Sequence, residues 1–220
     1  MRVILVRHGE SASNAAPDRV SLPAEQGDLL TERGLEQARS VGRSLRDAGV
    51  TELISSPLRR ARATAAAISE ELGLEVEINP GIYELREAPG YGGLTMEEQK
   101  LRRWSEWMVR HPDDPDHSEG GGESFNQVLG RVKAFKAELV ARDHGGLTLA
   151  VSHGIFIRFF LADTLLGDEF GPRHADRIWH MRTFNCGVSV FDHDEPQHPG
   201  DPEREGWLCS TWMARPWNPP

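Results

Sequence analysis

A chain of 220 residues with 34 acidic against 25 basic side chains, a net charge of −9 and a pI near 5.5 argues against nucleic acid or an anionic membrane as partner. Its two cysteines stand outside any CxxC pair, so they give neither a disulfide framework nor a thiol metal site. No stretch approaches the ~20 apolar residues of a membrane span, and only four apolar residues precede Arg7, too few for a signal-peptide core. The expectation is one cytoplasmic domain over residues 1–220, with enough apolar content for a core.

The chain opens on Val3-Ile4-Leu5-Val6, apolar on both faces and short, which predicts a buried strand. It stops at Arg7-His8-Gly9, where Gly9 permits a sharp turn and a close approach to a ligand. Residues 10–30 read as a polar loop. Thr31 then caps a helix carrying Leu35, Ala38, Val41 and Leu45 at helical spacing, with Gly49 suited to its end. Residues 52–55 form a second strand, running into Ser56-Pro57 and a helix with Leu58, Ala61, Ala65, Ile68 and Leu72 on one face. Val76 and Ile78 alternate with acidic residues as a half-exposed strand.

Residues 88–122 read as a short lid insertion: a glycine turn, a helix from Thr95 to Arg110, then a Pro/Asp/Gly stretch. Trp104, Trp107 and Met108 read as lid core. A helix from Gly122-Glu123-Ser124 to Ala141 follows, then a buried strand over residues 147–151 ending in Ser152-His153-Gly154, and a helix to Leu166. Residues 187–191 and 207–213 are late strands joined by a polar loop, and the terminal residues are a tail. The fold class is α/β: a three-layer sandwich whose mostly parallel central sheet is flanked by helices. Asp192-His193-Asp194 and His198 lie in the polar connection and read as solvated loop, not metal ligands.

Three strand-to-loop junctions carry basic residues: Arg7-His8-Gly9, Ser56-Pro57-Leu58-Arg59-Arg60, and Ser152-His153-Gly154. In a parallel sheet these junctions share one edge, where α/β proteins bind ligands. Two histidines and two or more arginines meeting there suit a multiply charged phosphate, because guanidinium forks match its oxygens.

The same segments carry a resemblance. Val6–Ser11, Leu30–Ala38, Ser55–Ala65, Leu85-Arg86-Glu87, Gly121–Ser124 and Val151–Gly154 resemble, in order, the motifs of the histidine phosphatase superfamily, also called phosphoglycerate mutase-like. The resemblance implies that His8 is a nucleophile that becomes a phosphohistidine, and that Arg7, Arg60 and His153 stabilise the phosphoryl oxygens. Glu87 resembles the general acid and is preferred over Glu84, three residues earlier. Asn14, Ser124 and Asn185 are weaker substrate-binding matches. No metal and no cofactor is implied. The short insertion favours hydrolysis of a small phosphorylated metabolite. The alternatives are cofactor-dependent phosphoglycerate mutase-type transfer and a non-catalytic phospho-ligand module, and a homodimer stays open.

Overall fold

The computed structural model describes residues 1–15, 24–86, 94–104, 113–118, 120–142, 145–193 and 206–216. In chain order the elements are β1 (Arg2–Arg7), α1 (Ala12–Ala15), α2 (Ala24–Gly27), α3 (Glu32–Ser44), β2 (Val50–Ser55), α4 (Arg59–Leu72) and β3 (Val76–Ile78). After them come α5 (Met96–Trp104), α6 (Phe125–Ala141), β4 (Leu147–Ser152), α7 (Gly154–Leu166), α8 (Ala175–Trp179), β5 (Val188–His193) and β6 (Trp207–Ala214).

Among these residues one six-stranded sheet forms, in the order β3-β2-β4-β1-β5-β6. The first four strands are mutually parallel, while β5 runs antiparallel to β1 and β6 antiparallel to β5. Alternation along β1 splits its side chains between two cores. Val3 and Leu5 face a cluster built on Phe135, Leu139, Phe156, Phe159 and Phe160 of α6 and α7. Ile4 and Val6 face Ala38, Val41, Ala61, Ala65 and Ile68 of α3 and α4. The sheet is therefore covered on both sides, which explains why its central strands read as unbroken apolar runs.

The parallel strands end in register. Arg7 pairs with Ser152, and Ser55 pairs with both Val151 and Ile78. The next residues are stitched across the same edge: His8 N–H to Ser152 O at 3.0 Å and Ser56 N–H to Val151 O at 3.0 Å. His8, Ser56 and His153 thus stand side by side, each one residue past its strand.

One expectation changes. The helix capped by Thr31, whose hydroxyl accepts from Gly34 N–H at 3.0 Å, stops at Ser44 rather than near Gly49. The Leu45 N–H reaches back to Gly42 O, three residues earlier, and this tighter turn ends the α-helical ladder. Gly9 makes a close approach to Gly34: a Cβ on Gly9 would lie 2.5 Å from Gly34 O. The helix expected to reach Arg110 is described as far as Trp104, and Trp107, Met108, the polar connection 194–205 and residues 217–220 lie outside the described residues. No helix among the described residues is long and apolar enough to cross a membrane.

Candidate active site

A cavity of about 850 Å³ opens over the carboxyl edge of β1 and β4. Its lining includes Arg7, His8, Asn14, Asp28, Arg60 and Glu84, together with Gly154, Arg158, Arg182 and Thr183.

His8 is buried, and its ring is held at both nitrogens. Nδ1 lies 2.8 Å from Gly9 O, and Nε2 lies 3.1 Å from Arg60 Nε. A carbonyl only accepts and a guanidinium only donates, so the proton sits on Nδ1 and the lone pair on Nε2. Burial, then the charges of Arg60 and Arg7, hold the imidazole well below the usual histidine range, against a small opposing contribution from the Gly9 carbonyl. His8 therefore presents a neutral, nucleophilic nitrogen between two cations.

Arg60 lies in the first turn of α4 and is ion-paired through Nη1 with Asp28 Oδ1, while Asp28 Oδ2 accepts from Arg59 N–H at 2.7 Å. Asp28 thereby fixes both the guanidinium and the helix end that carries it. Arg7 donates from Nη1 to Thr183 O at 2.8 Å, and its Nε is buried without a hydrogen-bond partner. Burial lowers the guanidinium to about 10; Glu84 opposes that shift, and Arg158 and Arg60 add to it. Gly154 leaves the space beside Arg7 open, since a Cβ there would lie 3.1 Å from Thr183 Oγ1 and 3.6 Å from Arg7 Nε.

His153 is fully buried and stands behind the lining, its ring centroid 5.2 Å from that of His8. Its Nε2 lies 2.7 Å from Ser56 Oγ, and its Nδ1 has no partner. Burial, and after it Arg60, His8 and Arg7, keep this ring neutral as well.

Asn185 does not line the cavity. Its Nδ2 donates to His8 O, Gly9 O and Asn14 Oδ1 at 2.8–3.1 Å, so it ties the loop after β1 in place. Asn14 does line the cavity. Ser124 is not brought to the site. Its hydroxyl accepts from Gln127 N–H at 3.2 Å while Gln127 Oε1 accepts from Ser124 N–H, a reciprocal cap on α6 that uses the side chain.

Glu87 lies outside the described residues. Among the described residues two carboxylates line the cavity, Asp28 and Glu84, and Glu84 Oε1 accepts from Ile155 N–H at 3.1 Å and Leu85 N–H at 3.0 Å. It sits at the N-terminus of α7, beside Arg7 and Arg158. Asp28, Thr183 and Arg158 were not read from the sequence. Asp28 falls in a polar loop and Thr183 between elements, where spacing carries no signal. Arg158 had one, as the lone cation in an otherwise apolar α7 over residues 154–162.

The site has known counterparts. A family model, the histidine phosphatase superfamily (branch 1), matches residues 3–199. A "probable phosphoglycerate mutase GpmB" of Erwinia tasmaniensis is 32% identical over 222 residues, 97% of this chain and 91% of that protein. Its counterpart in Salmonella paratyphi B is 33% identical over 221 residues, with the same coverage of each chain. Among solved structures, one titled mycobacterial hydrolase 1 superposes with a TM-score of 0.74 at 25% identity, covering 97% of this chain and 99% of its own. A mycobacterial glucosyl-3-phosphoglycerate phosphatase, solved with VO3, shares the fold with a TM-score of 0.72 at 24% identity, covering 97% and 99%. With a neutral His8 set beside Arg7 and Arg60 on a parallel-sheet edge, and a family model spanning most of its length, the chain belongs to the histidine phosphatase superfamily, branch 1.

Proposed function

We propose that this protein is a phosphomonoester hydrolase that works through a phosphohistidine on His8. The observation that carries the reading is the His8 ring: neutral, tautomerically fixed, with its Nε2 lone pair turned to the Arg60 guanidinium and the charge of Arg7 close by. The cavity volume suits a small phosphorylated metabolite.

In the first step His8 Nε2 attacks phosphorus and the ester P–O bond breaks. Glu87, which resembles the family's general acid, gives its proton to the leaving oxygen. Arg7 and Arg60 offer guanidinium N–H groups to the transferring oxygens. If Ser56 Oγ–H donates to His153 Nε2, then Nδ1 carries the proton of that ring and adds a further donor. In the second step water attacks the phosphohistidine, the N–P bond breaks, and Glu87 takes the water proton. The guanidinium groups supply the positive charge that Mg²⁺ supplies elsewhere, so the reaction is metal-independent.

A second reading, phosphoryl return to a bound intermediate, is favoured by the 32–33% identical relatives named as probable phosphoglycerate mutases. One experiment separates the two. A panel of phosphorylated metabolites is screened for phosphate release with excess EDTA present, and 3-phosphoglycerate is tested for isomerisation in parallel. Rapid denaturation during turnover should trap acid-labile, base-stable phosphate on the wild type and none on His8→Ala. Isomerisation without phosphate release would replace hydrolysis by transfer, and normal turnover by His8→Ala would remove both readings.

A further inference from the structure

The chain leaves β2 through Ser55 and Ser56, both fully buried, and the backbone of Ser56 is tied on both sides. Its N–H donates to Val151 O at 3.0 Å, and its carbonyl accepts from Ser55 Oγ–H at 3.0 Å. Its hydroxyl is thereby set between two groups. Ser56 Oγ accepts from Leu58 N–H at 3.4 Å, and it lies 2.7 Å from His153 Nε2. A backbone N–H only donates, so His153 Nε2 is the acceptor open to the serine proton among the described residues.

The His153 ring is neutral, so one nitrogen carries a proton and the other a lone pair. Two arrangements fit the 2.7 Å contact. If Nε2 held the proton and donated to Ser56 Oγ, the serine proton would lack an acceptor and the Nδ1 lone pair would lack a donor. If Ser56 donates to Nε2, a single group is left unmet, the N–H at Nδ1. Leaving a buried polar group unmet is destabilising, so the second arrangement is the favoured one. Nδ1 is the ring nitrogen nearer the backbone, and the next residue, Gly154, lines the cavity. Arg7 Nε, also buried and without a partner, lies 3.6 Å from the Cβ that Gly154 lacks. Two unmet N–H donors therefore stand beside Gly154, next to the nucleophile, and phosphoryl oxygens are acceptors for both.

We infer that Ser56 is a positioning residue for His153: its hydroxyl fixes the ring as the Nδ1–H tautomer, so that the nitrogen without a protein partner is a donor to the phosphoryl group on His8. The inference rests on the reading of His8 as phosphoryl acceptor, and it holds for hydrolysis and for transfer alike. Ser56 does not line the cavity and acts through the ring.

The first readout is the tautomer itself. In protein with isotope-labelled histidine nitrogens, a protonated ring nitrogen resonates far from a bare one, and couplings to the ring C–H protons tell Nδ1 from Nε2. The His153 pair is assigned by its loss in His153→Asn. The wild type should carry the proton on Nδ1, Ser56→Thr should keep it there, and Ser56→Ala should lose the single tautomer. The second readout is the rate of phosphoenzyme formation by rapid quench, on an alkyl phosphate and on 2,4-dinitrophenyl phosphate. Ser56→Ala should slow both by a similar factor of about 10–10², because the same phosphoryl oxygens are stabilised with either leaving group. Inhibition by vanadate should weaken with it, and Ser56→Thr should stay within about threefold of wild type. In a His153→Asn background, where no tautomer is left to set, Ser56→Ala should cost nothing more. Ser56→Cys, close in volume and a weak donor, supplies the kinetic reading if Ser56→Ala does not fold, with a smaller loss shared by both esters. A wild-type ring protonated at Nε2, unchanged rates in both Ser56→Ala and Ser56→Cys, or full additivity with His153→Asn would each overturn the inference. If the wild type traps no phosphoenzyme, or His8→Ala still does, the reading of His8 falls and the inference with it. If His8 is phosphorylated and Ser56→Ala leaves both tautomer and rate untouched, the inference falls alone.

Discussion

Lowering the pH from 7.0 to 5.5 should destabilise this protein by an amount that two histidines set. His8 and His153 are both held well below the ordinary histidine value of 6.5 in the folded state, by burial first and by the neighbouring arginines next. As pH falls through 6.5 the unfolded chain takes a proton on each ring and the folded protein does not. The unfolded state then binds more protons, so stability falls with pH, and it goes on falling until the folded rings titrate. For one ring the loss between pH 7.0 and 5.5 is about 1.3 kcal/mol, and for two about 2.5 kcal/mol. Carboxylates held below their usual range, such as Glu123 and Asp192, lose their contribution only at more acid pH. The measurement is urea unfolding at the two pH values for the wild type, His8→Asn, His153→Asn and the double variant. Each single substitution should remove about half of the pH-dependent loss, and the double variant nearly all of it. A wild type equally stable at both pH values, or a double variant that keeps the full loss, would refute the reasoning.

Arg60→Met removes the donor to His8 Nε2 and to the transferring oxygens, and kcat/KM on an aryl phosphate should fall by about 10²–10³-fold. Adding Asp28→Asn should recover part of the loss, because it removes the negative charge that Arg60→Met leaves unpaired in the cavity wall. Glu87→Gln should slow an alkyl ester by about 10²–10⁴-fold and spare a good aryl leaving group, while Glu84→Gln is much milder on both. The reverse pattern would move the acid to Glu84. Gly34→Ala places a Cβ 2.1 Å from Glu10 O, backbone against backbone, and should lower Tm by several degrees, checked by calorimetry.

The catalytic core could be read because it obeys strong local rules. Residues 3–6 and 147–151 are short runs buried on both faces, and each stops at a histidine followed by glycine. Once the strands are parallel, His8 and His153 must be neighbours. Glu84 and Glu87 are the same residue type three positions apart; Glu84 stands in the cavity wall, and Glu87 lies outside the described residues. Ser124 is held as the cap of α6, and a signal for that role stands in the chain: Ser-x-x-Gln over residues 124–127 is the pattern of a reciprocal helix cap. Gly9 illustrates a different limit. Its need for a missing Cβ is plain in the sequence, but the object it approaches, Gly34, is set only when α3 packs across the β1 loop.

The seat of β1 has a consequence for how the site comes apart. The strand that delivers His8 is hydrogen-bonded on both edges, to β4 and to β5, and covered on both faces. Residues 83–86 belong to no helix or strand and are held by single bonds from Glu123, Arg131 and Ile155. Amide protons of β1 should therefore exchange with solvent only at the cost of global unfolding, whereas those of residues 83–86 exchange through smaller, local openings. His8 and the Glu84 wall of its cavity sit on units of unequal durability, so mild denaturant should loosen the wall before it displaces the ring.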